Sequence, residues 1–268
     1  MKILIIGGGN MGSTFARSFI RSHAADSEKV MILEALAGKI EELKQAKIGR
    51  VFSDPGACVP EADIIILAVK PQASASLFDQ IKSYVDEQQL VVSIMAGVKV
   101  ETIRKGLGVS KIIRAMPNLP AQIGQGMTVY TSTDSVTRIE LVMVQNLLNT
   151  TGKAIFVSDE AKIDAGTAIS GSGPAYVFYF INALKQAAKE MGFSDSAAQL
   201  LVTQTFKGTA ALFDQSDRSC QEWIDMVSSK GGTTEAAIRS FDKNKLKELI
   251  ELGAEAALAR AKALGLLG

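Results

Sequence analysis

Two glycine-rich segments, far apart in the chain, carry the residue types best suited to bind small anionic groups. The first, Gly7–Gly12, reads Gly-Gly-Gly-Asn-Met-Gly and fits the pattern G-x-G-x-x-G. It lies between a short β-rich run, Ile3–Ile6, and a helical pattern, which is where a dinucleotide-binding turn belongs. Gly7 would permit the tight turn, Gly9 the approach of a pyrophosphate, and Gly12 close helix packing. The predicted cofactor residues of this turn are Gly7, Gly9, Asn10, Met11 and Gly12.

An acidic residue, Glu34, stands at the end of the second β-rich run, 22 residues after Gly12. A carboxylate at this place normally accepts hydrogen bonds from the adenosine ribose hydroxyls. It would also repel the 2′-phosphate that distinguishes NADPH from NADH. Taken alone, Glu34 therefore favours NADH, and the alternative is a solvated glutamate beside a helix.

Two further strand ends, after Asp63–Val69 and after Leu90–Met95, are expected to line the cofactor site. Ligands of open α/β sheets bind in the crevice at the carboxyl ends of the strands. In the first, Pro71 forces a turn and Lys70 adds a positive charge near cofactor or substrate, unless Lys70 is simply solvated. In the second, small residues leave room for a nicotinamide ring. The predicted cofactor residues here are Ala68, Val69, Lys70, Pro71, Ala96 and Gly97.

The second glycine-rich segment is Ser228–Thr234, with the sequence Ser-Ser-Lys-Gly-Gly-Thr-Thr. It lies between a predicted helix that carries Trp223 and another that begins near Thr233. Two glycines before a helix start, flanked by hydroxyl residues, can form a backbone nest for an anion the size of a carboxylate. The alternative is an ordinary loop with a threonine N-cap.

Several common catalytic groups are missing from the sequence. The only histidine is His23, at the end of the first predicted helix, and no tyrosine is followed by a lysine four residues later. Cys58 and Cys220 match neither a metal nor a disulfide spacing, so no metal site is predicted. The chain therefore lacks the usual groups for proton exchange with an alcohol. An iminium substrate, which accepts hydride at carbon without simultaneous proton transfer from a strong acid, removes that need.

The elements that must position these residues fall into two halves. Residues 1–158 alternate β-rich runs with helical stretches, and several runs are continuously apolar, as in a sheet covered on both faces. The sequence therefore predicts a doubly wound, Rossmann-type α/β fold in this half. The predicted strands are Ile3–Ile6, Val30–Leu33, Asp63–Val69, Leu90–Met95, Lys111–Met116, Met127–Thr131 and Ala154–Val157.

Residues 159–268 are predicted to form an all-α domain. A helix is expected over Pro174–Met191, ended by Gly192, and Ser194 is expected to cap a second helix that runs to about Phe213. Small side chains give this half a thin core, so a homodimer or a larger assembly is expected, with a self-sufficient bundle as the alternative. The last helix is predicted to place on one face Leu246, Leu249, Ile250, Gly253, Ala254, Ala257, Leu258 and Ala261.

Composition narrows the class of protein further. The 268 residues are 47% hydrophobic and 21% charged, which is typical of a globular protein. A net charge of +1 provides no basic field for nucleic acid or an anionic membrane. No apolar run approaches the roughly 20 residues that span a bilayer, so the expected location is the cytoplasm and the expected partner is a small-molecule substrate.

Five blocks occur in order along the chain: Gly7–Gly12, Ala68–Gln72, Arg114–Asn118, Ser170–Tyr176 and Ser228–Thr234. Together they resemble the Δ1-pyrroline-5-carboxylate reductase family. The resemblance implies a Rossmann domain, a helical domain that dimerises, and NAD(P)H-dependent reduction of pyrroline-5-carboxylate to L-proline. The alternatives are a reductase of another cyclic imino acid, such as the six-membered homologue, and a nucleotide-sensing module without turnover.

The same resemblance implies roles for single residues. Ser229, Gly232 and Thr233 would hold the substrate carboxylate, and the Thr234 hydroxyl would lie against the ring nitrogen as the catalytic group. Lys230 departs from the family, which more often has proline at this position. The family usually prefers NADPH, whereas Glu34 favours NADH, so the residues leave the choice of cofactor open.

Overall fold

Residues 1–265 are described in a computed structural model of the chain, and their strands form a single eight-stranded sheet. Seven of the strands were predicted. The strand that was not predicted, Arg50–Phe52, is short and half-buried, so its sequence carries little periodic signal. The strands are β1 Ile3–Ile6, β2 Val30–Leu33, β3 Arg50–Phe52, β4 Ile64–Leu67, β5 Leu90–Ser93, β6 Ile112–Met116, β7 Gly126–Ser132 and β8 Gly152–Phe156.

The order of the strands is β3-β2-β1-β4-β5-β6-β7-β8, and β7 is antiparallel to β6 while the other neighbours are parallel. β1 to β3 extend towards one edge of the sheet and β4 to β8 towards the other. The strand order therefore reverses between β1 and β4, which is the switch point of a doubly wound sheet. In register, Ile3 of β1 pairs with Val30 of β2 and with Ile64 of β4. The predicted Rossmann-type sheet is confirmed.

Helices cover the sheet and then continue alone to the end of the described chain. Short 3-10 turns lie at Ser27–Lys29, Pro55–Ala57, Val59–Glu61, Pro71–Ala73 and Leu119–Ile123, and a π-helical turn at Thr167–Gly171. The helices are α1 Asn10–Arg21, α2 Ala37–Gln45, α3 Ser74–Ile81, α4 Val100–Leu107, α5 Arg138–Asn149, α6 Ala161–Gly166, α7 Gly173–Glu190, α8 Asp195–Asp214, α9 Cys220–Val227, α10 Thr233–Lys243 and α11 Leu246–Leu264.

The core lies on both faces of the sheet. Alternate residues of β1 face opposite sides, so Ile3 and Ile5 pack in one apolar cluster and Leu4 and Ile6 in the other. All four are buried, as expected for a strand covered by crossover helices. This burial fixes the strand ends at which the first glycine turn begins.

The chain divides into two compact units, residues 1–172 together with the chain from Ala257, and residues 173–256. α6 packs on β6 and β7, and its residues Ile163 and Asp164 are buried. The domain boundary predicted after residue 158 stays a prediction. Among the described residues, no helix has the length and apolar character needed to cross a bilayer.

Residues 173–256 bury very little of their own apolar surface. Ala198 and Val202 are the buried residues of this unit among those described. The predicted caps are present, since Gly192 has φ +96° and the Ser194 hydroxyl accepts from the Ala197 amide. The large apolar side chains left exposed here are Val177, Phe178, Tyr179, Leu184, Met191, Phe193, Leu200, Leu201, Leu212, Phe213, Met226, Val227, Phe241, Leu249, Ile250 and Leu252.

Candidate active site

The turn after β1 needs glycine for reasons that differ from one position to the next. Gly7 has φ +102°, and a Cβ there would lie 2.9 Å from the Ala68 carbonyl oxygen. A Cβ on Gly12 would overlap the carbonyl of Gly7. Gly9 has open space on its Cβ side, with no atom within 4 Å. The turn is therefore packed at its two ends and open in the middle, where a ligand can approach the backbone.

The start of α1 leaves hydrogen-bond donors free beside that opening. Gly9 is the N-cap and provides no side-chain cap, and the first helical bond joins the Ser13 amide to the Gly9 carbonyl at 2.9 Å. The amides of Asn10 and Met11 therefore have no acceptor within the helix. Exposed amides at a helix N-terminus favour a phosphate group.

The carboxylate of Glu34 is fixed on the same turn. Its Oε2 accepts from the Gly8 amide at 2.9 Å, and its Oε1 accepts from the amides of Ala35 and Leu36 at 2.8 and 3.0 Å. Three backbone donors hold the negative charge in one orientation. Gly8 was missed in the sequence analysis, where the glycine pattern left its position unspecified; a Cβ there would overlap Leu43.

A cavity of about 180 Å³ adjoins this carboxylate. Gly7, Glu34 and Val69, three of the predicted cofactor residues, line it together with Pro55 and Leu77. Its lining holds no lysine or arginine, and Lys70 is exposed and outside the lining. An apolar cavity with one fixed carboxylate suits an adenosine moiety without a 2′-phosphate.

The turn after β5 lies at the same edge of the sheet. The Ile94 amide donates to the Leu67 carbonyl at 3.0 Å, which ties the turn to β4. Ala96 is half-buried, and Gly97 is buried with φ +76°. A Cβ on Gly97 would lie 3.1 Å from the Leu264 Cβ, so the end of α11 packs against this turn. No local sequence pattern relates Gly97 to Leu264, so this contact could not be predicted.

The second glycine segment forms a tight turn before α10. The Gly232 amide donates to the Ser229 carbonyl at 2.9 Å, and Gly231, at φ +73°, donates its amide to Glu235 Oε2 at 2.6 Å. Gly232 is the N-cap and supplies no side-chain cap. The first helical bond joins the Ala236 amide to the Gly232 carbonyl at 3.2 Å, so the amides of Thr233, Thr234 and Glu235 have no acceptor within the helix.

A π-helical turn, Thr167–Gly171, joins α6 to the start of α7 and contains the first residues of the Ser170–Tyr176 block. Asn118 holds it in place, since its Nδ2 donates to the Ser170 carbonyl at 3.0 Å and its Oδ1 accepts from the Met127 amide at 2.8 Å. Asn118 therefore links the end of β6 to this turn. The described residues contain no group of three His, Cys, Asp or Glu able to hold a metal ion.

Comparison with known proteins identifies the family. A model described as pyrroline-5-carboxylate reductase dimerisation matches residues 160–264, and one described as NADP oxidoreductase, coenzyme F420-dependent, matches residues 2–97. Pyrroline-5-carboxylate reductase 2 of Bacillus subtilis is 34% identical over 251 residues, which are 93% of this chain and 90% of the relative. The chain belongs to the pyrroline-5-carboxylate reductase family.

Other members of the family support the same assignment. The pyrroline-5-carboxylate reductase of Pseudomonas aeruginosa is 33% identical over 98% of this chain and 96% of its own. The solved structure of the Coxiella burnetii reductase matches with a TM-score of 0.91 at 32% identity, over 98% of both chains. That of the Plasmodium falciparum pyrroline carboxylate reductase, with NADP bound, matches with a TM-score of 0.89 at 30% identity, over 99% of this chain and 98% of its own.

Proposed function

We propose that this chain reduces the C=N bond of 1-pyrroline-5-carboxylate to give L-proline, the last step of proline biosynthesis, with NAD(P)H as the reductant. The observation that carries the proposal is the presence of two glycine-capped helix starts in a chain of this family. One helix start, after Gly9, suits a pyrophosphate, and the other, after Gly232, suits a carboxylate.

The residues of the first turn fit a dinucleotide. The open space beside Gly9 and the free amides of Asn10 and Met11 would take the pyrophosphate, and Glu34 would accept from the adenosine ribose. Ala96 and Gly97, at the end of β5, would adjoin the nicotinamide. The bound cofactor supplies the hydride, and the protein supplies position and electrostatics.

The substrate would be held by the second turn. The amides of Thr233 and Thr234 would donate to its carboxylate together with the Ser229 hydroxyl, while Gly232 would shape the turn, its own amide being engaged by Ser229. The Thr234 hydroxyl, which makes no hydrogen bond to another described residue, would contact the ring nitrogen. These contacts would orient the imine carbon for hydride transfer.

The substrate chemistry explains why a strong acid is not needed. A ring nitrogen that already carries its proton leaves the imine carbon electrophilic, so hydride addition produces the amine directly. His23 is exposed at the end of α1 and contributes nothing to either turn. The protein's task is then to bind and orient an iminium carboxylate.

We also propose that residues 159–268 form the substrate-binding and dimerisation domain. Large apolar side chains are exposed on the helices from α7 onward, and an apolar cavity of about 810 Å³ opens among α7 to α10. Trp223, Phe206 and Phe213 line that cavity. A second copy would cover this surface, in a homodimer or a larger assembly. The cytoplasmic location expected from the sequence stays a prediction.

The test measures loss of NADH or NADPH absorbance with 1-pyrroline-5-carboxylate and with its six-membered homologue. We expect turnover with the five-membered ring. Thr234→Val should lower kcat roughly a hundredfold, the size expected for one hydrogen bond made in the transition state, with cofactor Kd unchanged. Thr233→Val is the matched control, since its role is assigned to the backbone amide. Cofactor binding without turnover of either ring would favour the nucleotide-sensing alternative.

A further inference from the structure

Arg114 is a charged residue in the middle of the sheet that neither proposed binding turn uses. It lies on β6, opposite Ser93 of β5 and Thr131 of β7 in the strand register. Only 2% of its surface is exposed. Removing a guanidinium from water is costly unless charged partners compensate, so the partners indicate why it is there.

The guanidinium is held by two carboxylates at the start of α6. Its Nη1 donates to Glu160 Oε1 and its Nη2 donates to Asp164 Oδ1, both at 2.9 Å. Its Nε has no acceptor among the described residues. Arg114 therefore joins β6 to α6 by two ion pairs of equal length.

The two carboxylates differ in one respect. Glu160 Oε1 also accepts from the backbone amide of Val100 at 2.9 Å, whereas Asp164 has no hydrogen bond to that segment. Val100 is the first residue of α4 and ends the turn that contains Ala96 and Gly97. Ser93, which pairs with Arg114, is the last residue before that turn. The turn is thus tied at its start by the strand pairing of Ser93 with Arg114 and at its end by the hydrogen bond from Val100 to Glu160.

We infer that Glu160, fixed by Arg114, is a positioning residue for the Ala96–Gly97 turn and thereby for the reduced ring of the cofactor. This inference rests on the proposed function, because it takes that turn as the nicotinamide site. The turn contains a buried glycine at φ +76° and small side chains, so its place is set by its two ends. A displacement of about 1 Å at such a surface can slow a reaction by roughly a hundredfold.

Four variants separate positioning from general stability. Glu160→Ala removes both contacts of this carboxylate, whereas Glu160→Gln retains an oxygen that can accept from Val100 and Arg114. Asp164→Ala is the matched control, since it takes the other carboxylate from the same guanidinium and leaves the Val100 contact. Val100→Pro removes the amide at the first helical position, where proline is well tolerated, and exchanges the partly buried valine side chain for the apolar proline ring.

Two measurements decide the inference. In cofactor-free protein, amide hydrogen exchange of residues 94–99 should rise in Glu160→Ala and Val100→Pro and stay at the wild-type rate in Glu160→Gln and Asp164→Ala. In turnover, kcat should fall about tenfold to a hundredfold in the first pair, with substrate KM changed less than about threefold. Glu160→Gln should restore most of the rate.

Equal effects of Glu160→Ala and Asp164→Ala on exchange and kcat would overturn the inference, because both would then act through stability alone. If Glu160→Ala does not fold, Val100→Pro decides, and unchanged exchange and kcat in that variant would also overturn it. Absence of turnover in the wild-type protein would contradict the proposed function and not this inference. The exchange measurement would still show whether Glu160 anchors the turn.

Discussion

Replacement of Glu34 by glutamine tests whether this carboxylate selects between NADH and NADPH. The carboxylate accepts three backbone amides and borders a cavity whose lining has no cationic side chain. A 2′-phosphate beside it would meet a fixed negative charge with nothing to offset it. Glu34→Gln removes the charge and retains the bonds from Ala35 and Leu36, while the Gly8 amide loses its acceptor.

The size of the effect follows from the charges. Two unit charges roughly 4 Å apart repel by about 1 kcal/mol in bulk water and about 4 kcal/mol near a protein surface. Glu34 is half-buried, and its three N–H donors offset part of the charge. We therefore take about 1 to 2 kcal/mol, which corresponds to a factor of about 5 to 30 in favour of NADPH in the variant. NADH should bind somewhat more weakly, since a neutral acceptor hydrogen-bonds the ribose less strongly.

The assay measures Kd for NADH and NADPH by fluorescence titration, and kcat/KM with each. The cost of the lost Gly8 contact affects both cofactors alike, so the ratio of the two Kd values reports the charge. Glu41→Gln, on the exposed side of α2, makes the same change in net charge and should leave the ratio unaltered. In the wild type, added salt should reduce the difference between the Kd values for NADH and NADPH, because salt screens exposed charges. A ratio that stays the same in Glu34→Gln would show that the carboxylate does not face the 2′ position.

Three further predictions concern single sites. Gly9→Ser should give α1 a side-chain N-cap, which is worth a few tenths of a kcal/mol and should raise the melting temperature. The same hydroxyl would occupy the amides proposed for the pyrophosphate, so cofactor binding should weaken. Tighter binding would refute the assigned role. Cys58 is buried, which raises its thiol pKa to about 11, so it should resist a thiol reagent at pH 8 until the protein unfolds, and rapid modification in the native state would contradict this. Burial raises the pKa of Glu140, but the Thr137 amide and Lys111 outweigh it and hold the pKa below its ordinary value of 4.5. Glu140→Gln should therefore lower thermal stability at pH 7, with the difference lost as pH falls below that value; a difference independent of pH would refute it.

The sheet and the glycine turn could be predicted because their signals are local. A continuously apolar strand such as Ile64–Leu67 indicates burial on both faces of the sheet. The position of Gly7–Gly12 between a strand and a helix indicates a phosphate-binding turn. The Arg50–Phe52 strand was missed because it is short, half-buried and bordered by loops. A sheet edge gives the sequence little periodicity to display.

Contacts between distant residues could not be predicted. Nothing in the local sequence relates Glu160 to Val100, or Leu264 to Gly97, and both contacts define the turn after β5. The division of the chain also depends on such contacts, since α6 packs on the sheet. The position of Glu34 was predictable, but its hydrogen bond from the Gly8 amide was not, because that contact depends on how the glycine turn folds back on β2.

The helices that begin at the two proposed binding turns share a glycine N-cap. Side-chain caps are also absent from α2, α3, α4 and α6, so among the described helices it is the glycine that sets these two apart. α5, α8 and α9 begin after Thr137, Ser194 and Ser219, whose hydroxyls accept from their own helix amides. α1 and α10 begin after Gly9 and Gly232, which have no side chain to do so. A hydroxyl cap satisfies the free amides from within and stabilises the helix by about 1 kcal/mol relative to alanine. A glycine N-cap makes no such hydrogen bond, so the backbone amides at the start of the helix remain free. Free amides at a helix start are what a phosphate or a carboxylate requires.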